Sequence, residues 1–403
     1  MKYILDKNSG NKLSILGFGC MRFPKKIETE EMIISAVESG INYFDTAYLY
    51  HNSEEVLGEI LEKNNLRNRV YIATKLPLIM VKSKDDFDKF FYRQLKRLKT
   101  NYIDYYLMHM ITDLDHWEIL CKLGIEDWIK SKKETGEIKN IGFSFHGNKN
   151  EFLKILDAYD WGFCQIQYNY SDPNYQAGVT GLKKAYEKGI TVIIMEPLLG
   201  GKLVDGLPKK AQDIFKEVNG NYSPAGWGLR WLWNQEEVGV VLSGMSSMKQ
   251  LKENIMVADK STPYMLSKKE EDAFYKVMKV FNESYKIPCT GCGYCMPCPE
   301  NINIPGCFSS YNMTYTMKYS VGLKSYMMST GLMSRTYGSA SKCIKCGKCE
   351  KHCPQKIKIR DELVNVKKRL EPFWYRFAAA TARKILKKDK KEKKTIENFK
   401  NSQ

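Results

Sequence analysis

Residues 41–75 read INYFDTAYLYHNSEEVLGEILEKNNLRNRVYIATK, and this stretch decides how the first part of the chain folds. Its two ends, INYFD (41–45) and VYIATK (70–75), are short and rich in β-branched and aromatic residues, as buried strands are. Between them, SEEVLGEILEKNN (53–65) carries apolar residues at intervals of three and four, which predicts an amphipathic helix. The stretch is therefore a strand–helix–strand unit.

The same alternation continues to about residue 260, with further helical patterns such as 29–40 and 85–99. Six more runs have strand character: LSILGFG (13–19), IDYYLMH (103–109), IKNIGFS (138–144), FCQIQY (163–168), ITVIIM (190–195) and VGVVLS (238–243). Eight strands, each followed by a helix, fit a (β/α)8 TIM barrel of about 250 residues. A doubly wound sheet is the alternative, but GFGCMR (17–22) lacks the third glycine of a dinucleotide-binding fingerprint. We therefore predict an α/β chain in which residues 1–280 form the barrel.

Ionisable side chains occur where the predicted strands end. Asp45 ends the second strand, Lys75 the third and His109 the fourth. Tyr50 follows the second strand. Taken singly such residues are usually structural, but the carboxyl ends of barrel strands share one face, which carries the chemistry. There an ammonium lowers the pKa of a neighbouring phenol, a carboxylate holds the ammonium in place, and a neutral histidine can orient a carbonyl oxygen.

The stretch GINYFDTAYLYHNSEEVLGEIL (40–61), with ATK (73–75) and LMH (107–109), resembles the aldo-keto reductases over about residues 1–275. These are (β/α)8 enzymes that bind a nicotinamide cofactor without a Rossmann domain. The resemblance implies that Tyr50 is the general acid and that Lys75 and Asp45 tune it. It implies that His109 positions a carbonyl whose carbon exchanges a hydride with NADP or NAD. The cofactor contacts that it implies are Gly19, Cys20, Met21, Asp45, Ser144, Gln165, Met195, Pro197, Leu198, Gly200, Ser243, Gly244, Met245, Gln250, Glu253 and Asn254.

Four positions depart from the family pattern. Phe145 stands where many members have Asn, and Met195 replaces the aromatic residue that stacks on the nicotinamide. Gly244 and Gln250 stand where Lys and Arg usually bind the 2′-phosphate of NADP. The choice between NAD and NADP therefore stays open, as does a flavin in place of nicotinamide.

Two cysteine runs lie beyond the predicted barrel. CTGCGYCMPCPE (289–300) has a cysteine at every third position, and CIKCGKCEKHCP (343–354) has the spacing C-x2-C-x2-C-x3-C-P. The second spacing is that of bacterial ferredoxins. Zinc is the alternative, but zinc sites set two close pairs well apart, and four evenly spaced sulfurs crowd one tetrahedron. We therefore predict iron–sulfur clusters.

Residues 285–360 resemble two-cluster ferredoxins, in which the fourth cysteine of each run binds the other [4Fe–4S] cluster. The resemblance implies two ligand sets, one of Cys289, Cys292, Cys295 and Cys353 and one of Cys343, Cys346, Cys349 and Cys298. The first run is one residue short before Cys298, so Cys307 stays a candidate in its place.

The two parts together resemble the iron–sulfur aldo-keto reductases of anaerobic bacteria and archaea. This implies an anaerobic source and a small ferredoxin-like domain, α+β or helical, over residues 281–370. Residues 308–340, between the cysteine runs, are rich in Tyr and Met and favour a helical spacer over a chain of redox tyrosines. We predict a basic helical tail over 371–403, since residues 381–403 hold nine Lys or Arg against three acidic residues. The tail is interpreted as a solvated helix or as a site for an acidic protein, RNA or an anionic membrane surface.

Composition indicates a cytoplasmic protein. Apolar residues make up 43% of the chain and charged residues 27%, which is typical of a folded domain, and the net charge is +17. The first residues do not form a signal peptide, and no apolar run approaches the roughly 20 residues of a membrane span. In the cytoplasm cysteines stay as thiols or bind metal, and we expect Cys20, Cys121 and Cys164 to be packing residues. We expect no DNA partner.

A hydride carries two electrons, whereas a cubane cluster transfers one at a time, so the barrel and the iron–sulfur domain cannot exchange electrons directly in a simple way. Three hypotheses for their combination follow. First, the barrel interconverts a small carbonyl or alcohol substrate and the clusters connect it to a ferredoxin or flavoprotein. Second, the clusters are structural. Third, the barrel is catalytically altered and the chain is an electron-transfer or partner-binding protein. The sequence indicates neither the particular substrate nor the oligomeric state.

Overall fold

The computed structural model describes residues 1–24, 26–283, 286–287, 289, 295–330, 338–353, 357–375, 377 and 381. The chain divides into two compact units, Met1–Asp205 with Asp213–Tyr275 and Gly206–Gln212 with Lys276–Gln403. Within the described ranges, none of the helices combines the length and the apolar character that crossing a membrane requires.

The first unit begins with a short antiparallel hairpin of β1 (Tyr3–Leu5) and β2 (Lys12–Ser14). The prediction of one strand over residues 13–19 is therefore wrong. The extended segment is interrupted at Ile15, and only the residues after Ile15 form a strand of the barrel. Strands of three residues are too short to show an alternating pattern. Leu13 of the hairpin packs against side chains that line the barrel interior.

Eight parallel strands then close into a barrel, as the alternation predicts. They are β3 (Leu16–Gly19), β4 (Tyr43–Asp45), β5 (Tyr71–Leu76), β6 (Ile103–Ile111), β7 (Ile138–Phe145), β8 (Phe163–Gln167), β9 (Thr191–Met195) and β10 (Val240–Ser243). Each strand pairs with the next along the chain, and β10 pairs with β3. All the carboxyl ends therefore lie on one face of the barrel.

Helices follow the strands, and most of them pack against the outside of the barrel. They are α1 (Lys26–Glu38), α2 (Ser53–Lys63), α3 (Asp85–Leu98), α4 (Leu114–Lys122), α5 (Ile125–Glu134), α6 (Lys149–Ala158), α7 (Gly178–Glu187), α8 (Lys209–Val218), α9 (Pro224–Trp233), α10 (Met248–Lys260) and α11 (Lys268–Glu283). The three helices predicted at 29–40, 53–65 and 85–99 are confirmed as α1, α2 and α3. Gly58 lets α2 approach α3 closely, since a Cβ there would lie 2.4 Å from the carbonyl oxygen of Arg97.

Alternation along each strand separates two apolar layers. In β6, Tyr105 and Leu107 belong to the cluster inside the barrel, whereas Tyr106 and Met108 belong to the cluster between strands and helices. The period of two is that of an extended strand. A residue two positions after an interior residue, at the carboxyl end, therefore faces the mouth of the barrel.

The second unit contains α12 (Ile304–Thr316), α13 (Tyr319–Ser329), α14 (Lys348–Lys351) and α15 (Ile359–Leu370). Its apolar core includes Phe308, Tyr326, Leu363 and Tyr375, all buried. The spacer predicted between the cysteine runs is helical where it is described, as α12 and α13, and residues 331–337 lie outside the described part. Most of the predicted basic tail, residues 382–403, also lies outside it.

Candidate active site

Three of the four predicted catalytic residues, Asp45, Lys75 and His109, reach the mouth of the barrel from consecutive strands. The residues two positions before them line the barrel interior, so the strand period carries these side chains to the same side. Neighbouring strands pair in parallel here, with Asp45 opposite Ala73 in the register. The three side chains, which are far apart in sequence, therefore lie close together at the mouth of the barrel.

Lys75 and Asp45 form a buried ion pair. The Lys75 ammonium donates hydrogen bonds of 2.7 Å to both carboxylate oxygens of Asp45 and a third of 2.7 Å to the carbonyl oxygen of Thr46. Burial by itself lowers the pKa of Lys75, but the charge and hydrogen bonds of Asp45 and the neighbouring Tyr50 phenol outweigh it, so the pKa lies above its usual value. The ammonium is charged and fixed in position.

Tyr50 lies beside this ammonium, in the loop after β4. The Lys75 nitrogen is 5.0 Å from the centroid of the Tyr50 ring. The expectation that Lys75 makes the phenol more acidic is wrong for the net pKa of Tyr50. Burial raises this pKa more than the neighbouring Lys75 ammonium lowers it, and the charges of Asp45 and Glu196 raise it further. Tyr50 is therefore a protonated phenol at neutral pH.

His109 is aimed at Tyr50 by an irregularity in β6. The register between β6 and β7 shifts between Met108 and Ile111, and Met110 adopts a left-handed backbone with φ of 64°. The Met110 amide donates a hydrogen bond of 2.9 Å to the hydroxyl of Ser144, which holds this conformation. The His109 ring then meets the Tyr50 ring edge-on, with centroids 6.1 Å apart. Bulges of this kind commonly redirect a side chain at an active site.

His109 is neutral. Burial, followed by the charges of Lys75 and His146, lowers the pKa of His109 to about 3. Its Nδ1 is buried and has no hydrogen-bond partner among the described residues. A neutral imidazole with a free nitrogen can bond a substrate oxygen.

Two further ionisable residues at this face are not among those predicted from the sequence. His146 follows β7 directly, and burial and the Lys75 charge lower its pKa to about 4. Glu196 follows β9 directly, and its charge acts on Tyr50. Their position one residue past a strand end was the signal that could have found them.

Ser144 and Gln165 lie on neighbouring strands, β7 and β8, and pair in the register. Both are buried. The Gln165 amide nitrogen donates a hydrogen bond of 3.3 Å to Asp45, while its amide oxygen is buried without a partner in the described chain. That oxygen can accept from an amide N–H, so these side chains fit a nicotinamide carboxamide.

The other predicted cofactor residues fall in three loops of the same face. Gly19, Cys20 and Met21 end β3, and Ser243, Gly244 and Met245 end its neighbour β10, where a Cβ on Gly19 would lie 3.4 Å from the carbonyl oxygen of Ser243. Met195, Pro197, Leu198 and Gly200 end or follow β9. The structure thus brings these three groups onto adjacent strands. Cys20 is buried, and burial raises the pKa of its thiol well above the usual value, as expected of a packing residue.

The remaining predicted contacts lie on α10. Asn254 is buried and donates a hydrogen bond of 2.9 Å from its amide to the hydroxyl of Ser243, which joins the helix to the end of β10. Gln250 is exposed, and its amide oxygen accepts a hydrogen bond of 2.8 Å from the backbone of Ser246. Glu253 is partly exposed. Phe145 is buried against Phe143 and Phe152 and cannot serve in place of the missing Asn.

In the second unit, four predicted ligands from the two cysteine runs line one small cavity: Cys298, Cys343, Cys346 and Cys349. Cys289, Cys295 and Cys353 pack against the apolar core of the same unit, as do Cys298, Cys343 and Cys349, and Cys292 lies outside the described residues. Within the described ranges, no three His, Cys, Asp or Glu side chains converge as they would around a single metal ion. Cys307 is fully buried on α12 and is not among the residues that line the cavity.

A closed parallel barrel with acid–base groups at its carboxyl face, followed by a cysteine-rich unit, defines the class of a TIM-barrel enzyme joined to a ferredoxin-type domain. The aldo/keto reductase family model matches residues 15–268. The chain belongs to the aldo/keto reductase family and is an oxidoreductase of that family. A 4Fe-4S dicluster domain matches residues 288–357, directly after the barrel.

Similar proteins match a little over three fifths of the chain. An uncharacterized oxidoreductase of Bacillus subtilis, YqkF, is 27% identical over 286 residues, which cover 61% of this chain and 88% of that protein. An aldo-keto reductase of Mycolicibacterium vanbaalenii is 28% identical over 261 residues, which cover 62% of this chain and 85% of that protein.

Solved structures show the same fold. An aldo-keto reductase from Klebsiella pneumoniae in complex with NADPH is 21% identical with a TM-score of 0.58, covering 69% of this chain and 95% of that one. The holo form of an aldo-keto reductase from Bacillus halodurans is 24% identical with a TM-score of 0.56, covering 69% of this chain and 96% of that one.

Proposed function

We propose that the barrel interconverts a carbonyl compound and an alcohol with NADP or NAD, and that Tyr50 supplies the proton. The observation that carries this proposal is the meeting of Tyr50 with the buried Lys75–Asp45 pair and the neutral His109. A protonated phenol next to a fixed ammonium can give its proton to a carbonyl oxygen, because the ammonium stabilises the phenolate left behind.

Each neighbour of Tyr50 then has a defined task. Lys75 uses all three of its N–H groups on Asp45 and Thr46, so the charge stays beside the phenol. The free nitrogen of His109 would bond the same substrate oxygen and hold it against Tyr50. Gln165 and Ser144 would hold the carboxamide of a nicotinamide ring, which when bound supplies or accepts the hydride.

The choice between NADP and NAD depends on the end of β10 and the start of α10. The Klebsiella relative is described with NADPH, which supports NADP. Gly244 and Gln250 offer no cation to a 2′-phosphate, and the Gln250 oxygen already accepts from the backbone. We therefore infer that the enzyme discriminates weakly between the two cofactors.

We further propose two [4Fe–4S] clusters in the second unit. The cavity formed by Cys298 of the first run and Cys343, Cys346 and Cys349 of the second supports the crossed pairing of two-cluster ferredoxins. Cys289, Cys292, Cys295 and Cys353 would hold the other cluster. Four thiolates per cube suit iron–sulfur chemistry, and such clusters would serve one-electron exchange with a ferredoxin or flavoprotein in the cytoplasm.

The experiment that tests the barrel chemistry compares wild type with Tyr50→Phe, using NADPH and NADH and a panel of aldehydes and ketones. We expect the variant to lose at least about a hundredfold in kcat/KM, the usual contribution of a general acid, with both cofactors. Equal rates for the two proteins would contradict the assignment of Tyr50. No reduction by wild type would favour an electron-transfer protein instead.

The clusters are tested on protein reconstituted without oxygen. We expect about eight iron atoms per chain, four for each of two cubes, and a visible absorbance that a reductant bleaches. A redox titration with and without nicotinamide cofactor tells a redox role from a structural one, since a coupled cluster shifts its potential when the cofactor binds. Iron for only one cube would contradict the two ligand sets.

A further inference from the structure

Three large aromatic side chains are exposed in the second unit, after α15. Phe373, Trp374 and Phe377 are 78%, 41% and 72% exposed. The backbone is helical at residues 373–375, 377 and 381, and the Thr381 hydroxyl donates a hydrogen bond of 3.0 Å to the carbonyl oxygen of Phe377, one turn back. At about 100° per residue, the three rings lie within about 100° of one another around the helix. They form one apolar surface, which we call the aromatic face.

The opposite side of this helical segment is fixed to the core of the second unit. Tyr375, about 160–200° around the helix from Phe373 and Phe377, is fully buried. Its ring centroid is 5.6 Å from that of Tyr326, and its hydroxyl is hydrogen-bonded to the hydroxyl of Thr330 at 3.1 Å. The fold therefore buries one aromatic residue of the segment and holds the aromatic face in solvent. A cluster of exposed apolar side chains is typical of an interaction site.

The charges next to the aromatic face are positive. Residues 363–388 contain eight Lys or Arg and a single acidic residue, Glu371. Glu371 is buried, and its carboxylate accepts a hydrogen bond from the phenol of Tyr326, so its negative charge is turned into the core. Lys367 and Lys368, in the last turn of α15, are exposed. A partner of the aromatic face therefore meets apolar rings and cations together.

This combination favours a lipid surface over an acidic protein or RNA. Phe and Trp side chains on one side of a helix, with Lys and Arg nearby, are typical of helices that lie in the interface of a membrane. An acidic protein would explain the cations but not the exposed rings. Single-stranded RNA is usually bound in a positively charged groove that holds its bases, whereas these rings project from the outside of a helix.

We propose that the aromatic face and the basic residues around it bind the surface of an anionic lipid bilayer, with the helical segment parallel to that surface. The rings enter the boundary between headgroups and acyl chains, and the cations contact anionic headgroups. The association is peripheral and reversible, because it buries only a few side chains and its electrostatic part is screened by salt. The inference concerns the second unit alone and does not depend on the carbonyl chemistry proposed for Tyr50.

The test is cosedimentation of the full chain, reconstituted without oxygen, with vesicles of equimolar phosphatidylcholine and phosphatidylglycerol. We expect binding that weakens as salt is added, and little binding to pure phosphatidylcholine. The triple variant Phe373→Ser, Trp374→Ser and Phe377→Ser should bind at least about tenfold more weakly, because the rings no longer leave water. The control is the double variant Tyr275→Ser and Met328→Ser, whose side chains are 75% and 74% exposed, and it should bind like wild type.

Tryptophan fluorescence reports the contact directly. Mixed vesicles should shift the emission of wild type to shorter wavelength, and Trp374→Phe should remove that shift while keeping most of the binding, since Phe is also apolar. Circular dichroism and iron content check the fold of the triple variant. If it does not fold, Phe373→Ser alone, at the most exposed of the three positions, carries the comparison.

Equal binding of wild type and the variants of the aromatic face to mixed vesicles would overturn the inference. So would the absence of vesicle binding by wild type. Binding of polyuridylic acid, or self-association in sedimentation velocity, that depends on the aromatic face in a chain that ignores vesicles would assign the face to RNA or to a second copy of the chain instead. Carbonyl reduction dependent on Tyr50 would be unaffected by any of these results.

Discussion

At the scale of single residues, the site depends on a buried ammonium whose three donors are all used. Lys75 donates to both oxygens of Asp45 and to the carbonyl of Thr46, and Gln165 donates a third hydrogen bond to the carboxylate. A buried charge is tolerated when it is paired and hydrogen-bonded. The same bonds that stabilise the pair also fix the ammonium beside Tyr50, so stability and the proposed proton transfer rest on one arrangement.

Replacing Asp45 with Asn should therefore lower both the stability of the fold and the rate of the proposed proton transfer. The substitution leaves the Lys75 ammonium buried without its countercharge, which costs on the order of 3–5 kcal/mol of unfolding free energy. Urea unfolding measures this loss, and steady-state kinetics should show a large fall in kcat because the ammonium is no longer held in its charged form. Lys154→Met, which breaks an exposed pair with Glu151, is the control and should leave both measurements nearly unchanged. If the two variants lose the same stability, the pair does not have the importance assigned to it.

The two buried histidines predict how stability depends on pH. In the folded chain the pKa values of His109 and His146 are lowered to about 3 and about 4, whereas in the unfolded chain they lie near 6.5. As the pH falls, these histidines are protonated in the unfolded state before they are protonated in the folded state. Their contribution to the free energy of unfolding is therefore fully present above about pH 6.5. It decreases as the pH drops towards 4, by about 1.4 kcal/mol per pH unit for each histidine. His146→Gln should reduce that slope by one proton in unfolding curves measured between pH 7 and 4.5. An unchanged slope would mean that His146 is not held neutral by burial.

At the scale of secondary structure, the sequence predicts the barrel well because buried parallel strands alternate with long amphipathic helices. The prediction of one strand over residues 13–19 was wrong because the first hairpin is made of strands of only three residues, below the length at which alternation can be read. Strand ends identified Asp45, Lys75 and His109 as candidates. The bulge at Met110 could not be foreseen, since it depends on a hydrogen bond from Met110 to Ser144 on the neighbouring strand.

That bulge yields a test of how His109 is positioned. Met110→Val places a β-branched residue at a φ of 64°, which costs about 1–3 kcal/mol, and should lower carbonyl reduction because His109 no longer faces Tyr50. Met110→Gly accepts the same backbone conformation and should retain most of the activity. Thermal unfolding and kcat/KM for one aldehyde distinguish the two variants. Equal activity would show that the bulge does not control His109.

At the scale of the whole molecule, the two units contribute different kinds of chemistry to one chain. The barrel carries the groups proposed to move a proton, and the second unit carries cysteines from two runs that are far apart in sequence. The cysteine spacing alone predicts that the second run binds an iron–sulfur cluster. It does not decide whether Cys298 or Cys307 is the fourth ligand of that cluster. The fold favours Cys298, because Cys298 lines the cavity together with Cys343, Cys346 and Cys349 and Cys307 does not. This proximity depends on the folded chain and cannot be predicted from the spacing.

Substitution of each cysteine in turn decides between them. Cys298→Ser should lower the iron content of anaerobically reconstituted protein from about eight to about four atoms per chain, because one cube loses a ligand. Cys307→Ser should leave about eight, because that thiol is buried in the apolar core beside Tyr326 and is not among the residues that line the cavity. Both residues belong to the second unit, so circular dichroism of the two variants controls for general misfolding. The opposite result, with iron lost only from Cys307→Ser, would assign the ligand to α12 and reject the crossed pairing drawn from the cavity.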